Sequence, residues 1–269
     1  LPKMAASEQD MPFIRNLASS DRRIREKAVS SLETFLSAQH NLDRLMAMKL
    51  WKGLFYAMWM CDKPIPQQRL CDEIAGLYTS LPGALPSSAR KNKVEVVPIW
   101  FLAAWEVIAT QWTEIDVLRM EKFLLLVRRL LAAHLRWVEQ HNWAKEQREK
   151  IITVLRQWPF ESEGDMAKVP LGLRLHIMDI WVDEMEKVGM LEDQADEAAV
   201  NEASLFAVEI KEQLVEPLTS CPVKAVRNSS RDELEDERLP WNKGKLAEDE
   251  AAREGPGSQQ DDDEWDGFG

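Results

Sequence analysis

Apolar positions recur along this chain at intervals of three and four, the spacing of one face of an α-helix. A clear case follows Asp21, a typical N-cap residue, where five apolar side chains share a face: Ile24, Ala28, Leu32, Phe35 and Leu36. We found no segment with the strict alternation expected of a half-buried strand. The pattern therefore predicts an all-α protein.

Prolines and polar turns divide the pattern into further helices. Their predicted spans are 41–61, 66–81, 98–112, 113–140 with Thr113 as the cap, 143–158, a helix opening at Pro170, and 196–214. Helices of this length joined by short turns favour antiparallel pairs stacked in an irregular HEAT/ARM-like array. A compact helical bundle is the alternative architecture.

The composition changes at residue 222. From there to residue 269 the chain has 14 acidic and 7 basic residues and ends near an acidic block, so we expect a disordered or extended tail. The predicted organisation is a helical domain over 10–221 and an acidic tail over 222–269. Trp241, Trp265 and Phe268 interrupt the tail as candidate anchors for a partner. The alternative is a solubilising tail with incidental aromatic residues.

Charge and cysteine usage narrow the class of protein. The net charge is −12, of which the tail carries −7, so a globally basic nucleic-acid binder is excluded while a local basic patch is not. Cys61, Cys71 and Cys221 form no paired motif, which fits a reducing cytosolic or nuclear compartment. We expect neither a transmembrane helix nor a secretory signal. The chain begins with Leu1, and Met4 is a candidate natural start.

The sequence offers little that resembles an active site. The glycines do not form a phosphate-binding loop, and no serine or cysteine lies in a nucleophile elbow. His134 and His141 are seven residues apart on one predicted helix face, without the cysteines or carboxylates that would complete a metal site. We therefore predict no enzymatic activity, cofactor, metal or small-molecule substrate.

Basic clusters are the candidate contact residues. Four bases open the helix after Asp21, where the helix dipole favours acids, which suggests that a partner supplies negative charge. The candidates for contact with RNA phosphates or an acidic protein are Arg22, Arg23, Arg25, Lys27, Arg90, Lys91, Lys93, Lys145 and Arg148. A solvated helix face is the alternative for any single cluster.

Three longer segments carry a family resemblance. They are Leu50–Leu70 (LWKGLFYAMWMCDKPIPQQRL), Trp112–Arg128 (WTEIDVLRMEKFLLLVR) and Pro170–Val188 (PLGLRLHIMDIWVDEMEKV). In this order they resemble the nucleolar ribosomal-RNA-processing protein one family, also called the fifty-two-kilodalton nucleolar protein family. The chain lacks the long basic extensions of many animal members and is similar to the shorter fungal type.

The resemblance implies a non-enzymatic assembly factor. It would be a scaffold in nucleolar precursors of the large ribosomal subunit, needed for pre-rRNA processing. Its partners would be other assembly factors of the pre-60S particle, with pre-rRNA contacted inside that particle, and its location the nucleolus of the nucleus. The competing interpretations are a HEAT-like adaptor unrelated to ribosomes and an autonomous RNA-binding protein, which the overall acidity disfavours.

Overall fold

The computed structural model describes residues 13–86, 96–191 and 201–242, and in these ranges the chain is helical with no strand. The α-helices are α1 Phe13–Leu17, α2 Arg22–Ser37, α3 Arg44–Trp59, α4 Pro64–Gly76, α5 Val96–Gln111, α6 Val117–Gln140, α7 Lys145–Gln157, α8 Leu171–Lys187, α9 Glu202–Ile210, α10 Glu216–Leu218 and α11 Lys224–Leu234. Short 3₁₀ turns at Leu77–Ser80 and Trp112–Glu114 follow α4 and α5, and a π-helical turn at Lys211–Val215 joins α9 to α10.

The helices form two rows. In one row α1, α3, α5 and α7 pack each on the next, and the π-helical turn after α9 continues it. In the other row α4, α6, α8 and α11 pack in the same successive way, with α2 against the 3₁₀ turn after α4. The predicted HEAT-like helical stack is confirmed. Within the described ranges no helix combines the length and apolar character needed to cross a bilayer.

Local capping explains where the main helices begin. Asp21 caps α2 as predicted, because its side chain accepts hydrogen bonds from the backbone N–H groups of Arg23 and Ile24. The prediction that Thr113 caps α6 is wrong. Residues 112–114 form the 3₁₀ turn, and the Asp116 side chain caps α6 through the N–H of Arg119.

The core runs through both rows as one apolar cluster rich in tryptophan. Five tryptophans are almost fully buried: Trp51, Trp100, Trp105, Trp137 and Trp181. Trp51, Trp105 and Trp181 were predicted to lie in the core from their spacing, and this is confirmed. Trp59, predicted with them, is only half-buried at the end of α3.

A histidine lies inside this core. The Trp105 Nε1–H group donates to His134 Nε2 at 3.0 Å, so His134 Nδ1–H donates to the Leu130 carbonyl oxygen at 2.7 Å. The imidazole also stacks on Phe101, with ring centroids 3.8 Å apart. Complete burial lowers the pKa of His134 to about 3. Both ring nitrogens are thus committed to packing within the domain.

The boundary predicted at residue 222 is placed too early. α11 packs on α8, and Val226 and Leu239 are fully buried, so the helical domain continues through Asn242. Apolar positions in a segment of high charge density hid this helix from composition arguments. Residues 243–269, including Trp265 and Phe268, lie outside the described residues.

Candidate interaction surfaces

Contacts between α3 and α6 join the first two segments that carry the family resemblance. Lys122 of α6 is buried, and its ammonium group donates to the carbonyl oxygens of Trp59 at 2.7 Å and Cys61 at 2.8 Å. The last carbonyls of a helix have no partner within the helix, so this lysine caps the end of α3. Desolvation by burial lowers the pKa of Lys122. Phe55 and Phe123 stack beside it with centroids 4.6 Å apart.

The second and third segments meet between α6 and α8. His176 Nε2 lies 3.0 Å from the Leu124 carbonyl oxygen, to which it donates. Further along, the Arg128 guanidinium pairs with Asp183 at 3.0 Å and with the buried Glu184 at 2.9 Å. The residues that carry the family resemblance therefore mostly hold neighbouring helices together, and few of them remain for a partner.

A buried ion pair orders the loop before α8. Arg174 and Glu161 are almost fully buried and pair with each other. Arg174 also donates to the carbonyl oxygens of Val169 at 2.8 Å and Asp165 at 3.0 Å, while Glu161 accepts from the N–H of Glu163 at 2.6 Å. Each charge is compensated inside the fold, so this pair is structural.

Arg25 is not the surface contact that was predicted. It is buried, and its guanidinium donates to the carbonyl oxygens of Ser19 at 2.8 Å and Ser20 at 3.0 Å. The helical period places position 25 on the packed side of α2, where the side chain holds the turn that precedes the helix.

The other three bases of α2 are exposed, as their prediction requires. Arg22 pairs with Glu26 at 2.6 Å. Arg23 and Lys27 make no ion pair with the described part of the chain. They are therefore the cations of this cluster that remain available to a partner.

A cleft between α2 and α4 collects charges of both signs. Arg22 and Arg69 line it, together with the carboxylates of Glu26, Glu33 and Glu73. Burial, and then the neighbouring Glu26, raise the pKa of Glu73, while the two arginines oppose this shift. Because the carboxylates already compensate the arginines, the cleft is poorly suited to a phosphate group.

The cluster at the start of α7 also divides. Arg148 is buried and pairs with Glu202 and with Glu209, the latter at 3.0 Å, so it ties α7 to α9. Its prediction as a partner contact is wrong, because its charge is already compensated within the fold. Lys145 remains 77% exposed with Glu149 at 3.7 Å. The predicted loop residues Arg90, Lys91 and Lys93 lie outside the described residues.

Trp241 anchors the chain to itself. It packs half-buried against the core, and the Lys211 ammonium lies 5.2 Å from its ring centroid. The prediction that this tryptophan is free to anchor a partner is therefore wrong. Isolated aromatic residues in charged sequence can pack on their own domain, and their spacing does not distinguish the two cases.

The sequence analysis missed a set of exposed apolar side chains on the helices. Their exposed fractions are 65% for Leu45, 38% for Tyr56, 72% for Ile65, 85% for Val117 and 90% for Leu118. Each lies away from the apolar face of its helix, which is the signal that could have identified it. Among the described residues no group of three or more histidine, cysteine, aspartate or glutamate side chains is arranged to hold a metal ion.

Comparison with known proteins places this stack in a family. Ribosomal RNA processing protein 1 homolog B of Homo sapiens is 30% identical over 198 residues, 72% of this chain and 24% of that protein. Homolog A of Mus musculus is 29% identical over 70% of this chain and 36% of its own length, and the Caenorhabditis elegans homolog is 29% identical over 68% and 43%. The chain thus matches about a quarter to two fifths of these relatives' length. The description of the nucleolar protein family Nop52 matches residues 8–267, and the chain therefore belongs to the Nop52 family.

Proposed function

We propose that this chain acts in the nucleolus in the processing of ribosomal RNA, as a non-enzymatic scaffold within precursors of the large ribosomal subunit. The observation that carries the proposal is the family match over residues 8–267, together with relatives named ribosomal RNA processing proteins. Other assembly factors of the pre-60S particle are the proposed partners, with precursor RNA close by.

The distribution of charge supports a scaffold role. The buried cations Lys122, Arg148 and Arg174 are each used inside the fold, to cap a helix or to pair with a carboxylate. Rigid packing of this kind suits a protein that holds other molecules in a fixed arrangement. The outward cations Arg23 and Lys27 of α2 are the proposed contacts with RNA phosphates or an acidic partner.

The test of the whole proposal is affinity purification of the tagged chain, with sequencing of the bound RNA and mass spectrometry of the bound proteins. We expect precursor RNA of the large subunit together with nucleolar assembly factors. Recovery of proteins without any precursor rRNA would overturn the proposal and favour the generic helical adaptor.

The α2 contact is tested separately with the double variant Arg23→Glu and Lys27→Glu. We expect severalfold less precursor RNA to be recovered, because phosphate contacts are replaced by repulsion. The matched control is Arg136→Glu with Lys224→Glu, which reverses two exposed charges on α6 and α11. Equal recovery by the two double variants would remove α2 from the proposed contacts without affecting the rest.

A further inference from the structure

One face of α3 remains uncovered within the described part of the chain. Leu45, Lys49, Lys52, Tyr56 and Trp59 follow one another at intervals of four, three, four and three, so they form a single stripe along the helix. Leu45 is 65% exposed and Tyr56 is 38% exposed. We call these five residues the α3 stripe.

The other sides of α3 are occupied by neighbouring helices. Gly53 faces α1 so closely that an added Cβ would lie 2.7 Å from Leu17 Cδ1. Trp51 packs on Trp100 of α5 with ring centroids 4.9 Å apart. Phe55 faces α6, through the stacked pair with Phe123 described above. The stripe is thus the side of α3 on which another molecule can pack.

The charge of α3 is opposite to that of the chain. The helix carries three basic residues and no acid, in a chain of net charge −12. Arg44 is paired with Glu106 of α5 at 2.6 Å, whereas Lys49 and Lys52 lie on the stripe between the apolar side chains. At the far end of the stripe the Arg119 guanidinium lies 4.8 Å from the Trp59 ring centroid and adds a further cation.

We propose that the α3 stripe is a docking surface for an acidic, amphipathic helix of a partner protein. Leu45 and Tyr56 are separated by eleven residues, about 16 Å along a helix axis, which an apolar ridge of about three turns would match. Carboxylates that flank such a ridge would face Lys49 and Lys52. The proposal goes beyond the proposed function and does not depend on it.

RNA fits this surface less well than an acidic helix does. Bases bind helical proteins by stacking on exposed aromatic faces, and Leu45 offers no such face. The Trp59 ring is half-buried and already covered by Arg119. Only Tyr56 would remain for stacking, so the mixture of aliphatic side chains and lysines favours a protein ligand.

The test uses the purified full chain and a fluorescently labelled synthetic helix as the probe. In this peptide leucines repeat at every third and fourth position and glutamates fill most of the remaining positions. We expect saturable binding by fluorescence anisotropy that weakens as salt is raised. Lys52→Glu and the pair Leu45→Ser with Tyr56→Ser should each reduce affinity about tenfold, equivalent to 1.4 kcal/mol.

Two controls decide the outcome. Lys27→Glu and Ile65→Ser change an exposed cation and an exposed apolar residue away from the stripe, and they should bind the peptide like the unchanged chain. Failure of the acidic peptide to bind, or equal binding by stripe and control variants, would overturn the proposal. Stripe-dependent binding of a single-stranded oligouridine in place of the peptide would also overturn it and assign the stripe to RNA.

A photo-crosslinking amino acid at position 56 of the full chain extends the test to cells. The expected product is a crosslink to a protein segment rich in aspartate or glutamate with regularly spaced apolar residues. A crosslink only to RNA or to a basic segment would contradict the proposal, as would the absence of any product beyond that obtained from exposed position 228 on α11.

Discussion

Acid should destabilise this fold through the buried histidine of α6. The pKa of His134 is lowered by burial from an ordinary value of 6.5 to about 3, so the folded chain binds fewer protons than the unfolded chain between these values. Stability linked to this group is therefore complete above pH 6.5 and is lost as the pH falls toward 3. At pH 5 the unfolded state gains about 2 kcal/mol from protonation of this single side chain.

The assay is urea unfolding at pH 7 and pH 5, followed by circular dichroism, on the unchanged chain and on His134→Gln. The variant is less stable at both pH values because Trp105 and Leu130 lose their partner. Its loss of stability between pH 7 and pH 5 should, however, be smaller by about 2 kcal/mol, since glutamine does not titrate. Carboxylates titrate in both proteins, and taking the difference removes their contribution.

The matched control is Trp105→Phe, which disturbs the same core contact but retains the buried imidazole. It should lose stability with acid as steeply as the unchanged chain does, because burial is the largest cause of the pKa shift. If His134→Gln is as sensitive to acid as the unchanged chain, the reasoning from burial to linkage is refuted.

Three further predictions concern buried groups. Arg174→Met should cost about 3–5 kcal/mol in urea unfolding, because it leaves the Glu161 carboxylate buried without a counter-charge, and adding Glu161→Gln should restore part of the loss. Cys71, whose pKa burial raises to about 12, should resist alkylation by iodoacetamide at pH 8 in the folded chain and react after unfolding. Trp241→Ala should lower the free energy of unfolding by about 2 kcal/mol, measured by the same titration, since half of a large apolar side chain is lost.

Periodicity predicted the helical class and most helix positions, because buried positions on a helix recur every three to four residues whatever the packing partner. It also identified Asp21 as a cap, since capping depends on groups only a few residues apart. It failed for α11, where Val226 and Leu239 are buried in a segment whose average composition is strongly charged. A few well-placed apolar contacts order such a helix against α8.

The candidate contact residues show a different limit. Arg22, Arg23, Arg25 and Lys27 have the same charge in the sequence, but only their position around the helix axis separates buried Arg25 from the exposed bases. Arg148 differs from Lys145 in the same way, because α9 supplies the carboxylates of Glu202 and Glu209 from a distant part of the chain. Local sequence holds no record of these partners.

The sequence by itself determined the helical class, the absence of a recognisable catalytic motif and the resemblance to a family, since each depends on residue types at short spacings. The tertiary structure decided which charges are already compensated and which surfaces remain open. Lys122 became a helix cap and Trp241 an internal anchor, while the α3 stripe remained exposed. The physical reason is that burial and charge compensation depend on neighbours brought together by folding, which no single segment encodes.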